Sequence, residues 1–125
     1  MTSHNHKFNN FRVDYKIWLD NSKDEGILGK GKIELLKQID KTGSMMAAAN
    51  KLKISYRKAW GDIKNAELLL GVQLIKRKRG GTAGGNSSLT KDAAKIIKAW
   101  NKLHTKVDNA IEDIIIEFKK FIKEK

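Results

Sequence analysis

The chain has no cysteine, which removes disulfides, thiolate metal centres and cysteine nucleophiles together and fits a reducing compartment. It has no proline either, so its helices can run uninterrupted. No apolar run approaches the length needed to cross a bilayer, and the opening Met1-Thr2-Ser3-His4-Asn5-His6 lacks the apolar core of a signal peptide. A cytoplasmic protein is expected. Catalytic patterns are missing as well: no Ser-His-acid set is legible, and the acids scatter over helix faces. Residues 80–88 are glycine-rich but lack the lysine followed by Ser or Thr that a phosphate-cradling loop needs. His4 and His6 offer two ligands on a tail, too few for a closed metal site. No enzyme, cofactor or metal is expected.

What the chain has in excess is positive charge. Lys and Arg number 26 against 14 Asp and Glu, a net +12 with a sequence pI near 9.9. On 125 residues, enough for one core, that excess makes a strong positive field, and nucleic acid is its commonest partner.

Residues 1–10 are polar and are expected to be a disordered tail. From Phe11 the pattern alternates, with Phe11, Val13, Tyr15, Ile17 and Leu19 on one face, which predicts a strand. Residues 20–26 are a loop by their turn chemistry. A first helix is predicted over about 30–42, with Ile33, Leu36 and Ile39 inward and Gly43 as its stop. Ser44 caps a second helix to about Leu52, and Ser55 caps a third that runs to Leu70 and ends at Gly71. Two short strands, 72–79 and 86–89, flank the glycine-rich tip as a hairpin. Thr90 caps a final helix over about 91–124.

Residues 43–89 carry the functional signal. A short helix, a turn at Lys53-Ile54 and a second capped helix make a helix-turn-helix, a unit that lays its second helix in the major groove of duplex DNA. Ala59, Ile63, Ala66 and Leu70 share one face of residues 55–70 and must point to the core. Arg57, Gly61 and Lys64 lie nearly opposite, with Tyr56 and Trp60 on a flank. Arg57 can fork to a guanine edge, while Lys64 suits phosphate. Lys53, Lys58, Lys76, Arg77, Lys78 and Arg79 add charge beside the motif, where phosphate contact needs it. In the hairpin, Arg77 and Arg79 alternate with Lys76 and Lys78, so one pair leans away from any single partner. Trp60 is open to two readings, a contact to sugar or a thymine methyl and a wedge between helices, with the wedge favoured.

Gly43-Ser44 with Ala47-Ala48-Ala49 and Leu52, followed by Ser55-Tyr56-Arg57-Lys58-Ala59-Trp60, resembles the N-terminal DNA-binding domain of the molybdate-responsive ModE regulators. So do the hairpin from Lys76 to Thr90 and Leu28-Gly29-Lys30-Gly31 before the first helix. The resemblance covers roughly residues 11–100, and the helix-turn-helix is also similar to the related LysR-type domain. It implies a winged helix-turn-helix, mainly α with a small β component, acting as a two-fold dimer on a palindromic operator. It also places Ser55, Tyr56 and Arg57 at the start of the reading helix, with Ser44 in the motif. Molybdate sensing is not carried over, because no residues match the family's C-terminal oxyanion-binding domains.

The last helix repeats in sevens. One position reads Ile97, His104, Ile111, Phe118 and the other Ala93, Trp100, Val107, Ile114, Phe121. So wide an apolar stripe on so long a helix calls for a partner helix, and a homodimer through Ile97, Trp100, Val107, Ile111, Ile114, Phe118 and Phe121 is expected. His104 is read as a rim histidine rather than a pH switch. The expected organisation is a tail (1–10), a winged helix-turn-helix domain (11–90) and a dimerisation helix (91–125). The expected function is sequence-selective binding of double-stranded DNA for transcriptional control. Two alternatives stay open: an architectural protein that coats DNA without selecting sequence, and a protein-interaction adaptor on the same scaffold.

Overall fold

A computed structural model describes residues 10–78 and 86–124, leaving aside the side chain of Lys78. Residues 1–9 of the expected tail, Arg79 and the glycine-rich tip lie outside the described residues. The element order is β1 (Trp18–Leu19), β2 (Leu28–Gly29), α1 (Lys30–Thr42), α2 (Met45–Lys51), α3 (Tyr56–Leu70), β3 (Ile75–Lys78), β4 (Asn86–Leu89) and α4 (Lys91–Lys123). The chain divides into two units, residues 17–100 and residues 10–16 with 101–124. The division falls inside α4 rather than at residue 90, because the first turns of α4 belong to the core of the larger unit.

In residues 17–100 glycine closes α1 and α3, and a Ser or Thr hydroxyl opens α2, α3 and α4. Gly43 and Gly71 close α1 and α3 in the left-handed region, at φ 72° in both cases, where only glycine sits without steric cost. The Ser44 hydroxyl accepts from Ala47 N (3.1 Å) and Ser55 from Lys58 N (3.0 Å), while Thr90 accepts from Ala93 N at 3.1 Å. The core collects Leu35, Leu36 and Ile39 of α1, Ala48 and Ala49 of α2, Ala59, Ile63 and Ala66 of α3, Leu74, Ile75, Ala93 and Trp100. Fully burying one such large aliphatic side chain stabilises by about 1.5–3 kcal/mol.

Two small antiparallel sheets complete this unit. β1 pairs with β2, Trp18 opposite Gly29 and Leu19 opposite Leu28. The intervening loop is tied by Asp20, whose carboxylate accepts from Gly26 N (2.9 Å), Trp18 Nε1 (3.1 Å) and Asn21 N (2.9 Å). Those donors, Gly26 first, hold its pKa below the ordinary carboxylate value. β3 pairs with β4 from Ile75 opposite Leu89 to Lys78 opposite Asn86. Ser87 N donates to Gly43 O (2.9 Å) and joins this hairpin to the end of α1.

The strands are shorter than the sequence suggests. The alternation from Phe11 to Leu19 yields only Trp18–Leu19 as strand, since β2 offers two pairing residues before the chain turns into α1. The first hairpin strand begins at Ile75 rather than Val72. Its lead-in is held by side chains and one backbone bond instead: Glu67 Oε2 accepts from Leu74 N (2.7 Å) and Ile75 N (3.3 Å). Leu74 O takes Thr90 N at 2.9 Å, and Gln73 O takes the Thr90 hydroxyl at 2.7 Å.

In the second unit, residues 10–16 run without regular structure beside the C-terminal part of α4. The Phe11 and Phe118 rings lie 6.3 Å apart at 56°, and Lys119 Nζ sits 5.7 Å over the Phe11 ring. The Tyr15 hydroxyl donates to Asp108 Oδ1, whose Oδ2 bonds His104 Nδ1 at 2.9 Å.

Because Glu67 satisfies two backbone donors where the hairpin starts, Glu67→Ala should destabilise by about 1–3 kcal/mol, the cost of leaving such groups unpaired. Glu67→Gln, which keeps an acceptor, should lose less than half of that. Urea denaturation measures both, and equal losses would assign the effect to packing.

Candidate nucleic-acid interface

α3 is set by its sequence with one face in and one face out. Ala59, Ile63 and Ala66 are buried, and the small Ala48 and Ala49 on α2 let the two helices approach closely. The opposite face carries Arg57, Gly61 and Lys64, all exposed. Arg57 forms no hydrogen bond or ion pair among the described residues, so its five N–H donors remain available. The first turn of α3 contains no acidic residue, so its positive end is not neutralised locally.

The remaining residues singled out by sequence fall into distinct surroundings. Ser44 and Ser55 spend their hydroxyls on capping, which leaves them a structural use whatever else they touch. Lys58 is engaged by Asp62 one turn on, Nζ to Oδ2 3.2 Å, a pair that was readable from the i,i+4 spacing. It is an exposed pair on the lysine side, so it is worth only a few tenths of a kcal/mol, about 0.3–0.5, and a phosphate could displace it. Lys53 is exposed in the turn between α2 and α3 and adopts φ 59°. Lys76 is exposed, as is Arg77; Arg79 and the side chain of Lys78 lie outside the described residues.

Trp60 brings several of these groups together. It is half-buried and packs against the core, which is the wedge reading. Its ring also meets the Tyr56 ring edge-on (6.4 Å, 77°), with Lys64 Nζ 5.7 Å and the Arg77 guanidinium 4.9 Å from its centroid. Arg77 follows the buried Ile75 by two residues on β3, so it shares that strand's inner face. The pairing of Arg77 with Trp60 spans seventeen positions and left no local mark in the sequence. Nor did the role of Glu67 at the hairpin.

The dimer candidates divide. Trp100, 6% exposed, lies in this chain's own core, and Ile97 packs half-buried against it. Trp100 is therefore corrected from partner-facing to core, because a helix that follows the hairpin directly must bury its first turns there, and Ile97 lies at the margin of that core. Val107 and Ile111 are half-buried. Ile114 at 55% exposed, Phe118 and Phe121 at 73% remain open apolar surface. No helix among the described residues is long and apolar enough to cross a membrane, and no group of three or more His, Asp or Glu among them could hold a metal ion.

Three capped helices with a two-stranded hairpin after the third define a winged helix-turn-helix. The sequence model of the bacterial regulatory helix-turn-helix proteins of the lysR family matches residues 31–94. The chain belongs to that family. It is 34% identical over 80 residues to the molybdenum-pterin-binding protein MopB of Rhodobacter capsulatus, covering 64% of this chain and 30% of MopB. It is 35% identical over 83 residues to the transcriptional regulator ModE of Yersinia pestis, covering 66% of this chain and 32% of that protein. The chain thus spans about a third of the length of these relatives, and the resemblance to ModE read from the motif is supported by them. Among solved structures, the CbnR DBD–DNA complex is similar at TM-score 0.53 and 19% identity, over 66% of this chain and 90% of that one. The BenM DBD in complex with catB site 1 DNA gives TM-score 0.51 and 22% identity, over 76% and 96%. At those identities the likeness concerns the fold.

Lys53 offers a separation of backbone from charge. A left-handed conformation costs an L-residue about 1–2 kcal/mol, and glycine removes that cost while adding about 0.4–1 kcal/mol of unfolded-state entropy. Lys53→Gly should therefore stabilise by about 0.5–1 kcal/mol net, whereas Lys53→Ala, still strained, should not. Thermal or urea unfolding of the two variants decides it, and a stabilised alanine variant would point to charge repulsion instead.

Proposed function

We propose that this chain binds double-stranded DNA in a sequence-selective manner as a homodimeric transcriptional regulator, with α3 as the reading helix in the major groove. The observation that carries the proposal is the exposed row of Arg57, Gly61 and Lys64, with Arg57 unpaired among the described residues. Family membership and two structural relatives solved as complexes with DNA support it. In this reading Arg57 donates to a base edge, Gly61 lets the helix backbone come close, and Lys64, Lys53, Lys76 and Arg77 meet phosphates. The activity in this reading is binding rather than catalysis, in the cytoplasm, and it rests on no molybdate site.

Selection of bound sites from random duplexes tests the core of the proposal. The net charge of +12 would by itself give salt-sensitive binding to any sequence, so an unenriched pool would favour a DNA-coating protein. Arg57→Ala should cost about 1–3 kcal/mol on the selected site and relax the preference at one base pair. Unchanged selectivity would remove Arg57 from base reading.

Dimerisation is proposed through the open apolar surface of α4, now restricted to Val107, Ile111, Ile114, Phe118 and Phe121. A single reading helix covers few base pairs, and a two-fold axis would set two of them about 34 Å apart, one DNA turn. Ile111→Asp with Ile114→Asp should yield monomers in sedimentation and retain only weak, salt-sensitive binding. A wild-type chain that sediments as a monomer at micromolar concentration, free and on DNA, would defeat the dimer.

A further inference from the structure

We infer that Trp60 is a positioning residue that fixes the hairpin's Arg77 against the reading helix, so that Arg77 and Lys64 present one joint cationic site to the phosphodiester backbone. The ligand in this inference rests on the DNA-binding reading above; the stacking does not.

The geometry begins with the strand. Ile75 is buried and Arg77 is the next residue on that face, so the arginine is led toward α3 rather than out along the hairpin. Its guanidinium carbon stands 4.9 Å from the Trp60 ring centroid, within the range of a cation–π contact. The ring is a fixed platform, since Trp60 packs on the core and its other neighbours are Tyr56, edge-on at 6.4 Å, and Lys64 at 5.7 Å.

Two consequences follow from the kind of contact. Arg77 has no carboxylate partner among the described residues, so it keeps its full charge. An aromatic face attracts the guanidinium without accepting a directed hydrogen bond from each N–H, which leaves the donor fork free for a bidentate oxygen ligand. The contact also removes side-chain freedom before any ligand arrives, and lowers the ordering cost at binding. A carboxylate in place of the ring would have fixed the arginine equally well and neutralised it. Lys64, beside the same ring, supplies a second positive charge with no ion-pair partner among the described residues.

The stacking is tested first without DNA. In a ¹H–¹⁵N spectrum of the full chain, Trp60→Phe identifies the Trp60 indole N–H among the three tryptophan signals. Arg77→Gln, a surface change, should shift that signal and leave the other two in place; an unmoved Trp60 signal would overturn the inference. Affinity for duplex DNA then tests the positioning. Arg77→Gln and Trp60→Leu should each weaken binding about 5- to 10-fold and lower the salt slope by about one. The double variant should be no weaker than either single one. Trp60→Phe should recover affinity to within about twofold, because it restores a π face. Independent, multiplying losses would overturn the coupling. If Trp60→Leu does not fold, the indole shift caused by Arg77→Gln decides, since it needs only the Trp60→Phe variant that assigns the signal. A wild type that binds no duplex would defeat the proposed function while the indole shift still reports on the stacking.

Discussion

The close seating of α3 on the helix beneath it is the constraint on which everything else rests. Ala48, Ala49, Ala59 and Ala66 are all but inaccessible to solvent, and their small size lets two backbones approach where leucines would hold them apart. An extra methylene or two in such a contact costs about 1–3 kcal/mol, but the structural effect matters more. A displaced α3 would carry with it Glu67, which starts the hairpin, and Trp60, which carries Arg77. The position of the wing is thus set by side chains of the same helix that presents Arg57, so the two basic elements cannot drift independently.

Much of this was legible in the residues because local chemistry decides it. The serines, threonine and glycines at 44, 55, 90, 43 and 71 mark helix ends by hydrogen bonding and by φ, and neither depends on distant partners. The inward and outward faces of α3 follow from the 3.6-residue period alone. What was not legible required partners far along the chain. Phe11, Val13 and Tyr15 alternate as a strand would, yet they form none, and the aromatic side chains are used beside α4 instead. The heptad pattern of α4 could not tell which apolar positions serve the chain's own core. Trp100 and Ile97 do, because the hairpin delivers the start of the helix onto that core.

The distribution of charge separates structural from available cations. Lys58 has Asp62 one turn away, and Lys32 donates to the carbonyl oxygens of Ile27 (3.1 Å) and Gly26 (3.5 Å) at the foot of α1. Arg57, Lys64 and Arg77 have no acidic neighbour bonded to them among the described residues. An excess of lysine spread over a surface raises solubility and long-range attraction alike. Cations left unpaired on adjacent faces of a rigid helix and hairpin do something narrower, because they can all be satisfied at once only by a ligand with charges at matching positions.

That difference bears on how a protein with net charge +12 could select sequence at all. Phosphate contacts attract equally to every duplex and weaken steeply with salt, so adding lysines raises affinity without raising discrimination. Discrimination needs a side chain whose misplacement on the wrong base pair leaves donors unpaired, and such a penalty is felt only if the side chain cannot shift to escape it. In the proposed reading, Arg57 projects from the first turn of a helix capped by Ser55, closed by Gly71 and seated on alanines, while the wing is tied to that helix through Glu67 and Trp60. The phosphate-binding groups then fix the register of the helix on the duplex, and the rigidity between them and Arg57 converts a wrong base into an energetic cost. In that reading, charge would bring the protein to DNA, and the seating of α3 is what would let it discriminate once there.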